Sequence, residues 1–379
     1  MSSAAKTNAG KIHPLTSLRF FAALMIVFFH SIPVVFPGFP PGELGKRWYS
    51  TWCVSVSFFY FLSGYILSVV YLSQGKPVDR RGFWSARFAR IYPLFFLTLL
   101  MDVPNMLRSR ILLYGVKKAV LFTGATFLYD TTMLQAWTPH LRIICGANWS
   151  LSVESLFYLL FPFVGPALWK LHGRKLWTAA PVIYAAGMTI VWLASRHFAS
   201  FDVGINPAMH LTTFLMGILL ARWQQDRRES PGWKEPGNWQ VFAVLGIGVA
   251  GYLTIVANIG VHIEPLLVTN GMLAPVFACL IWAFSSSESV LARWFSVRWL
   301  VVLGEASYGL YLIHGPVWGY FEWFLPLRWI HEWFPFYLAT AIGLSVLSFY
   351  FYETPARKRI LRRLAVRPRE TMEAASDAQ

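Results

Sequence analysis

The chain has 379 residues, of which 56% are hydrophobic, 17% aromatic and only 13% charged, with a mean hydropathy of +0.48. A soluble domain carries about twice that charged fraction, so the composition excludes a soluble globular protein and predicts an all-α, polytopic membrane helical bundle. The net charge of +15 does not indicate nucleic acid: Lys and Arg are spread over connecting segments, as orientation in a membrane requires, and no nucleic-acid-binding motif accompanies them.

The first apolar run covers 15–36, after a short N-terminal segment, 1–14. Lys6, Lys11 and Arg19 mimic the start of a signal peptide, but no small-residue cleavage site closes the run, so the expectation is an uncleaved first helix. Arg19 and His30 lie eleven residues apart within it. At about 100° per residue they return to within roughly 20° of one another, sharing one helix face about 16 Å apart. With this helix running outward, Arg19 stands at the cytoplasmic edge and His30 well inside the outer half. A histidine there is costly unless it lines a cavity or meets a polar partner. Neutral imidazole can take a proton from a hydroxyl near pH 7, or carry an acyl group as a nucleophile. A structural bond to a neighbouring helix is the plain alternative.

Further apolar runs follow at 51–72, 91–107, 117–134, 150–170, 177–194, 207–223, 239–257, 266–284, 301–324 and 334–352. Basic loops at 76–90, 170–175, 222–234 and 293–298, together with the C-terminal tail, are assigned to the cytoplasm. Three runs separate the first two of these loops, so one of the three cannot cross. The weakest is 117–134, which opens on Lys117-Lys118 and contains Gly124 and Asp130. It is expected as an interfacial or re-entrant segment on the outer side. About ten crossings result, with both termini cytoplasmic and Arg108 and Arg110 as the local exception. This topology sets Glu154 one turn below the outer surface, Tyr308 and Tyr311 in the inner half, and His314 near the middle.

Several residues along these runs invite a chemical reading. Ser57, Ser63 and Gly64 suit close helix approach, and no Gly-x-Ser-x-Gly elbow marks either serine as a nucleophile. Arg80-Arg81, Arg87 and Arg90, followed by Tyr92-Pro93, form a basic stretch at the cytoplasmic mouth of the third run. Guanidinium groups there can clamp phosphates, or simply serve as orienting charge. Glu154 can orient a histidine, bind a sugar hydroxyl, or sit solvated at the membrane edge. Tyr308, Tyr311 and His314 form one helix stripe, which reads most simply as packing. Cys53, Cys145 and Cys279 are widely spaced and give neither a disulfide framework nor a metal motif. The cluster Arg357-Lys358-Arg359, Arg362, Arg363, Arg367 and Arg369 reads as an anchor on anionic lipid rather than a nucleic-acid tail. Residues 354–379 are thus expected as a basic cytoplasmic tail with a disordered end, leaving 15–353 as one transmembrane domain.

Taken in order, six blocks resemble the acyltransferase-3 family of integral-membrane O-acyltransferases. They are Leu18-Arg19-Phe20-Phe21-Ala22-Ala23 with His30; Phe58 to Tyr65; Arg87-Phe88-Ala89-Arg90-Ile91-Tyr92-Pro93; Asn148 to Glu154; Leu303-Gly304-Glu305 through His314; and Tyr352-Glu353-Thr354-Pro355. The resemblance implies an enzyme of the bacterial inner membrane with no bound cofactor. It would take an acyl group, usually acetyl, from cytoplasmic acyl-CoA and deliver it to a hydroxyl of a carbohydrate or lipid-linked glycan, such as an exopolysaccharide or lipopolysaccharide sugar. It carries Arg19 and His30 over as essential residues and Glu154 as the acidic position. Arg87 and Arg90, with Tyr92 beside them, fall at the CoA end. Some members add a soluble hydrolase-like domain; the expectation here is that the membrane domain suffices. Acylation of a small diffusible compound such as a macrolide, transport of a glycan or acyl-CoA, and a non-catalytic assembly role are the competing readings.

Overall fold

A computed structural model describes residues 3–137, 146–286 and 289–364; Cys145, Arg367 and Arg369 lie outside them. Backbone polar groups in lipid must pair within their own segment, and the apolar runs accordingly close into helices. In chain order these are α1 (Ser3–Val35), α2 (Gly42–Ser50), α3 (Ser55–Tyr71), α4 (Arg80–Tyr114), α5 (Val116–Asp130), α6 (Trp149–Trp169), α7 (Gly173–His197) and α8 (Ser200–Ile205). They continue with α9 (Leu211–Arg228), α10 (Asn238–Asn258), α11 (Pro265–Leu267), α12 (Ala274–Phe284), α13 (Val290–Trp294), α14 (Arg298–Phe324) and α15 (Ile330–Ser348). Helical backbone continues beyond α15 to Leu364. Among the described residues there is no strand, only a single bridge between Ile259 and Ile263.

Seven described stretches are long and apolar enough to cross a membrane: His13–Val35, Gly42–Tyr71, Gly146–Trp169, Gly173–His197, Asn238–Asn258, Pro265–Phe284 and Leu327–Leu364. The count of ten expected from the sequence is not reached on this criterion. The remaining runs fall in α4, α9 and α14, which bury polar side chains such as Asp102, Arg222, Ser307 and His314. At 35 residues α4 is roughly 52 Å long, well beyond a hydrocarbon core of about 30 Å. Gly115, at φ 75°, turns the chain back, and α5 descends beside α4, with Arg110 donating to Thr123 Oγ1 at 3.4 Å. With 15 residues, about 22 Å, α5 is shorter than a crossing. It ends where Thr131 O accepts from Tyr92 at 3.3 Å.

Lipid tails are as apolar as leucine, so association here rests on close packing rather than on escape from water. Two contacts show how close. Gly64 of α3 and Gly217 of α9 face each other's backbone: a Cβ on Gly64 would lie 3.1 Å from Phe214 C, and one on Gly217 2.9 Å from Tyr65 N. Gly304 of α14 meets α1 in the same way, at Thr16 C (2.5 Å) and Ser17 N (2.9 Å). Phe157, Phe161 and Phe214 fill the centre of one core with Tyr60, Phe95 and Leu310. The opposite faces of α5, α7 and α10 leave Leu121, Leu128, Val182, Ile247 and Leu253 exposed, as a lipid-facing surface requires.

Candidate active site

Arg19 of α1 and Arg87 and Arg90 of α4 line one cavity of 210 Å³ together with Glu154 of α6 and Glu305 of α14. Ser63, Tyr158 and Tyr308 complete its polar wall. Among the described residues, none of the three arginines has a carboxylate oxygen within 4.0 Å. Arg87 is held by ring faces instead, with its Cζ 5.8 Å from the Tyr71 centroid and 5.9 Å from those of Phe83 and Tyr158. One guanidinium nitrogen of Arg87 donates weakly to Tyr71 Oη at 3.4 Å, and its buried Nε has no partner. Such guanidinium groups keep donors free for an anion. Glu154 accepts from Tyr158 Oη at 3.1 Å, and α6 is tied to α4 by Trp84 Nε1 donating to Tyr158 O at 3.0 Å. Glu353 and Arg357 lie within electrostatic range of Arg90.

The depth expected for Glu154 is corrected by this arrangement. Instead of lying near the surface opposite to Arg19, it shares a cavity with Arg19. The reason is that α6 begins among buried residues, Ala147, Asn148 and Ser150. Its first turn is pinned deep in the bundle, where Tyr311 Oη reaches Ala147 O at 2.9 Å and Ser150 Oγ at 2.8 Å. Tyr92 does not line the cavity. Its ring stacks on Phe88 and Phe96 (centroids 4.7 and 6.2 Å) and its hydroxyl braces the end of α5.

His30 opens on a second cavity of 220 Å³, lined also by Ser31, Ala147, His314, Trp318 and Tyr337. It is exposed, not enclosed, while His314 is buried. His30 Nδ1 and His314 Nε2 are 3.0 Å apart. The ring planes differ by 3° and the centroids are 5.2 Å apart, so the imidazoles meet edge to edge. His314 Nδ1 lies 2.7 Å from Tyr311 O, and Tyr337 donates to His314 O at 3.2 Å. The stripe read as packing therefore also brings a second histidine to the first, across 284 residues of sequence.

A waist of 40 Å³ shares Arg19, Phe59, Glu154 and Tyr308 with the first cavity and is bordered also by Tyr60, Ser150 and Tyr311, the last bonded to Ala147 of the second cavity. The Phe59 and Tyr311 rings close it edge to face at 6.2 Å. The structure thus gathers Arg19, Arg87, Arg90 and Glu154 at one end and leaves His30 at the other. Sequence reasoning did not bring Glu305, Glu353, Arg357 and Tyr158 beside them as neighbours. Glu305 and Glu353 stood in the resembling blocks and Arg357 in the basic cluster, while Tyr158 stands four residues after Glu154 on one helix face. Among the described residues, no group of three or more His, Cys, Asp or Glu is placed to hold a metal ion.

The acyltransferase-3 family signature, an acyltransferase domain, matches residues 13–353. Acyltransferase MdmB of Streptomyces mycarofaciens is 28% identical over 328 residues, covering 80% of this chain and 78% of that protein. O-acetyltransferase OatA of Staphylococcus aureus strain MRSA252 is 24% identical over 384 residues, covering 95% of this chain and 60% of OatA. The chain thus spans about three fifths of the length of that staphylococcal relative. No solved structure matches it.

Proposed function

We propose, from the premise that this chain belongs to the acyltransferase-3 family and is a membrane O-acyltransferase, that it moves acetyl groups from cytoplasmic acetyl-CoA to a carbohydrate hydroxyl. The acceptor is a sugar of an exopolysaccharide or lipopolysaccharide, the setting a bacterial inner membrane with both termini cytoplasmic. The observation that carries this reading is the pair of cavities, basic at Arg19 and histidine-lined at His30, with a narrow waist that reaches from the first toward the second.

CoA is too highly charged to enter hydrocarbon, so its phosphates stay at the basic mouth, where Arg87 and Arg90 offer paired donors. The 210 Å³ cavity is smaller than the roughly 300–1,000 Å³ of sites that enclose a whole ligand. It suits the narrow pantetheine arm rather than the nucleotide. That arm, about a dozen bonds, reaches roughly 15 Å when extended, comparable with the roughly 16 Å from Arg19 to His30. Beyond the waist, His30 accepts the proton of the acceptor hydroxyl as the oxygen attacks the thioester carbonyl. The C–S bond then breaks, and the thiolate takes the proton from the His30 imidazolium. Glu154 balances charge beside Arg19, and the ring of Trp318 gives a sugar a face to lie on.

The test is acetyl transfer by purified protein in proteoliposomes, with candidate glycans or a macrolide as acceptors and products identified by mass spectrometry. Wild type should yield acetylated carbohydrate, His30→Ala none despite normal membrane expression, and Arg90→Ala a reduced rate at low acetyl-CoA. Undiminished transfer by His30→Ala would sink the assignment of that residue. Movement of substrate with no covalent product would replace the enzyme by a transporter, and an acetylated macrolide alone would replace the acceptor.

A further inference from the structure

We infer that His314 is a positioning residue that holds His30 as its Nδ1–H tautomer, leaving Nε2 as the atom that receives the acceptor's proton. This rests on the acyl-transfer reading above and adds a residue and an atom to it. The argument follows donors and acceptors along one chain of contacts. A backbone carbonyl can only accept, so the 2.7 Å contact between His314 Nδ1 and Tyr311 O requires a proton on His314 Nδ1. In a neutral imidazole one nitrogen donates and the other accepts, so His314 Nε2 carries a lone pair. The 3.0 Å contact to His30 then requires His30 Nδ1 to be the donor. His30 Nε2 is left bare on a ring that is exposed at the cavity.

The rings favour this geometry as well as the proton count. Near-coplanar imidazoles 5.2 Å apart point one nitrogen's N–H at the other's lone pair, the orientation a strong hydrogen bond needs. His314 is itself fixed: it is buried, and Tyr337 bonds to its carbonyl. Among the described residues no carboxylate lines this cavity. The orienting group is therefore a neutral imidazole where a Ser-His-Asp triad uses a carboxylate. During transfer the acceptor O–H bond breaks and its proton goes to His30 Nε2. The new O–C bond forms, the C–S bond breaks, and the resulting imidazolium keeps its Nδ1–H on His314 until Nε2 gives its proton to the departing thiolate.

The experiment combines kinetics with ¹⁵N-histidine solid-state NMR of the full-length protein in liposomes, using His30→Ala to identify the His30 signals. Wild type should show a protonated Nδ1 and a bare Nε2 at His30. His314→Ala should shift that residue toward Nε2–H. It should also lower kcat by about 10²–10⁴-fold while leaving the KM for acetyl-CoA unchanged, because the basic cavity lies at the other end of α1. His314→Gln offers an oxygen to the same Nδ1–H and should recover at least about tenfold of the loss. Thermal unfolding of both variants in detergent separates a lost orienter from a lost fold. An Nε2–H tautomer in wild type, or a His314→Ala enzyme that is folded and retains wild-type kcat, overturns the proposal. Wild type that acetylates no acceptor overturns the acyl-transfer reading, and the proposal with it.

Discussion

Replacing Gly304 by alanine tests whether helix contact sets the geometry of the histidine pair. The new methyl carbon would stand 2.5 Å from Thr16 C and 2.9 Å from Ser17 N, against an ordinary carbon contact of about 3.5–4.0 Å. Both neighbours are backbone, so no side chain can swing away, and α1 must retreat from α14 by about 1 Å. Overpacking of this kind costs about 1–3 kcal/mol, and alanine's better helix propensity returns about 1 kcal/mol. The net loss of stability is therefore small. Function should suffer more, because α1 carries His30 and α14 carries His314. A 1 Å displacement turns their 3.0 Å contact into a gap beyond hydrogen-bond reach, and misplacement on that scale can cost about 10²-fold in rate. The assay is kcat for acetyl transfer in proteoliposomes beside thermal unfolding in detergent. Gly343→Ala is the control, since a Cβ there meets nothing within 4 Å; it should hold wild-type kcat and gain about 0.5–1 kcal/mol. Wild-type kcat in Gly304→Ala would refute the reasoning.

Other substitutions probe the remaining parts. Arg87→Ala and Arg90→Ala should each raise the KM for acetyl-CoA by about 10–150-fold, the equivalent of a charged hydrogen bond of about 1.5–3 kcal/mol. Initial rates with acetyl-pantetheine, which lacks the nucleotide phosphates, should hardly change, and an equal loss there would argue against phosphate binding. Tyr311→Phe removes the donor shared by Ala147 O and Ser150 Oγ and should cost about 1–3 kcal/mol, read as a lower unfolding midpoint. Asn105→Leu removes the donor 2.8 Å from Asp102 Oδ1 and 3.1 Å from Pro316 O. It should destabilise by at least about 1–3 kcal/mol, whereas an unchanged midpoint would mean that Asp102 has found another donor.

Fold class was legible because the apolar runs and the basic loops obey two simple rules, length and charge. The shared face of Arg19 and His30 was legible too, because helical phase over eleven residues is arithmetic: both residues open on cavities that α14 also lines, through Glu305 and Tyr308 below and His314 above. Glu154 shows where such reasoning stops. Its surroundings depend on α5 turning back beside α4 and on Tyr311 pinning the buried first turn of α6. Both are tertiary contacts that periodicity does not encode. Tyr92 follows Arg90 closely in sequence, yet helical phase turns it toward α5 and away from the basic cavity. The contact between His30 and His314 joins the two ends of the chain, and a tyrosine–histidine stripe reads as packing until its partner helix is known.

The glycine contacts have a mechanical consequence. Backbones that touch without intervening side chains leave no slack for tilting, so α3 and α9 behave as one beam and α1 and α14 as another. Phe59 belongs to the first beam and Tyr311 to the second, which puts the 40 Å³ waist on the seam between them. Any widening of that waist is then a sliding of one beam against the other, with the two histidines, both on the second beam, travelling together and keeping their register.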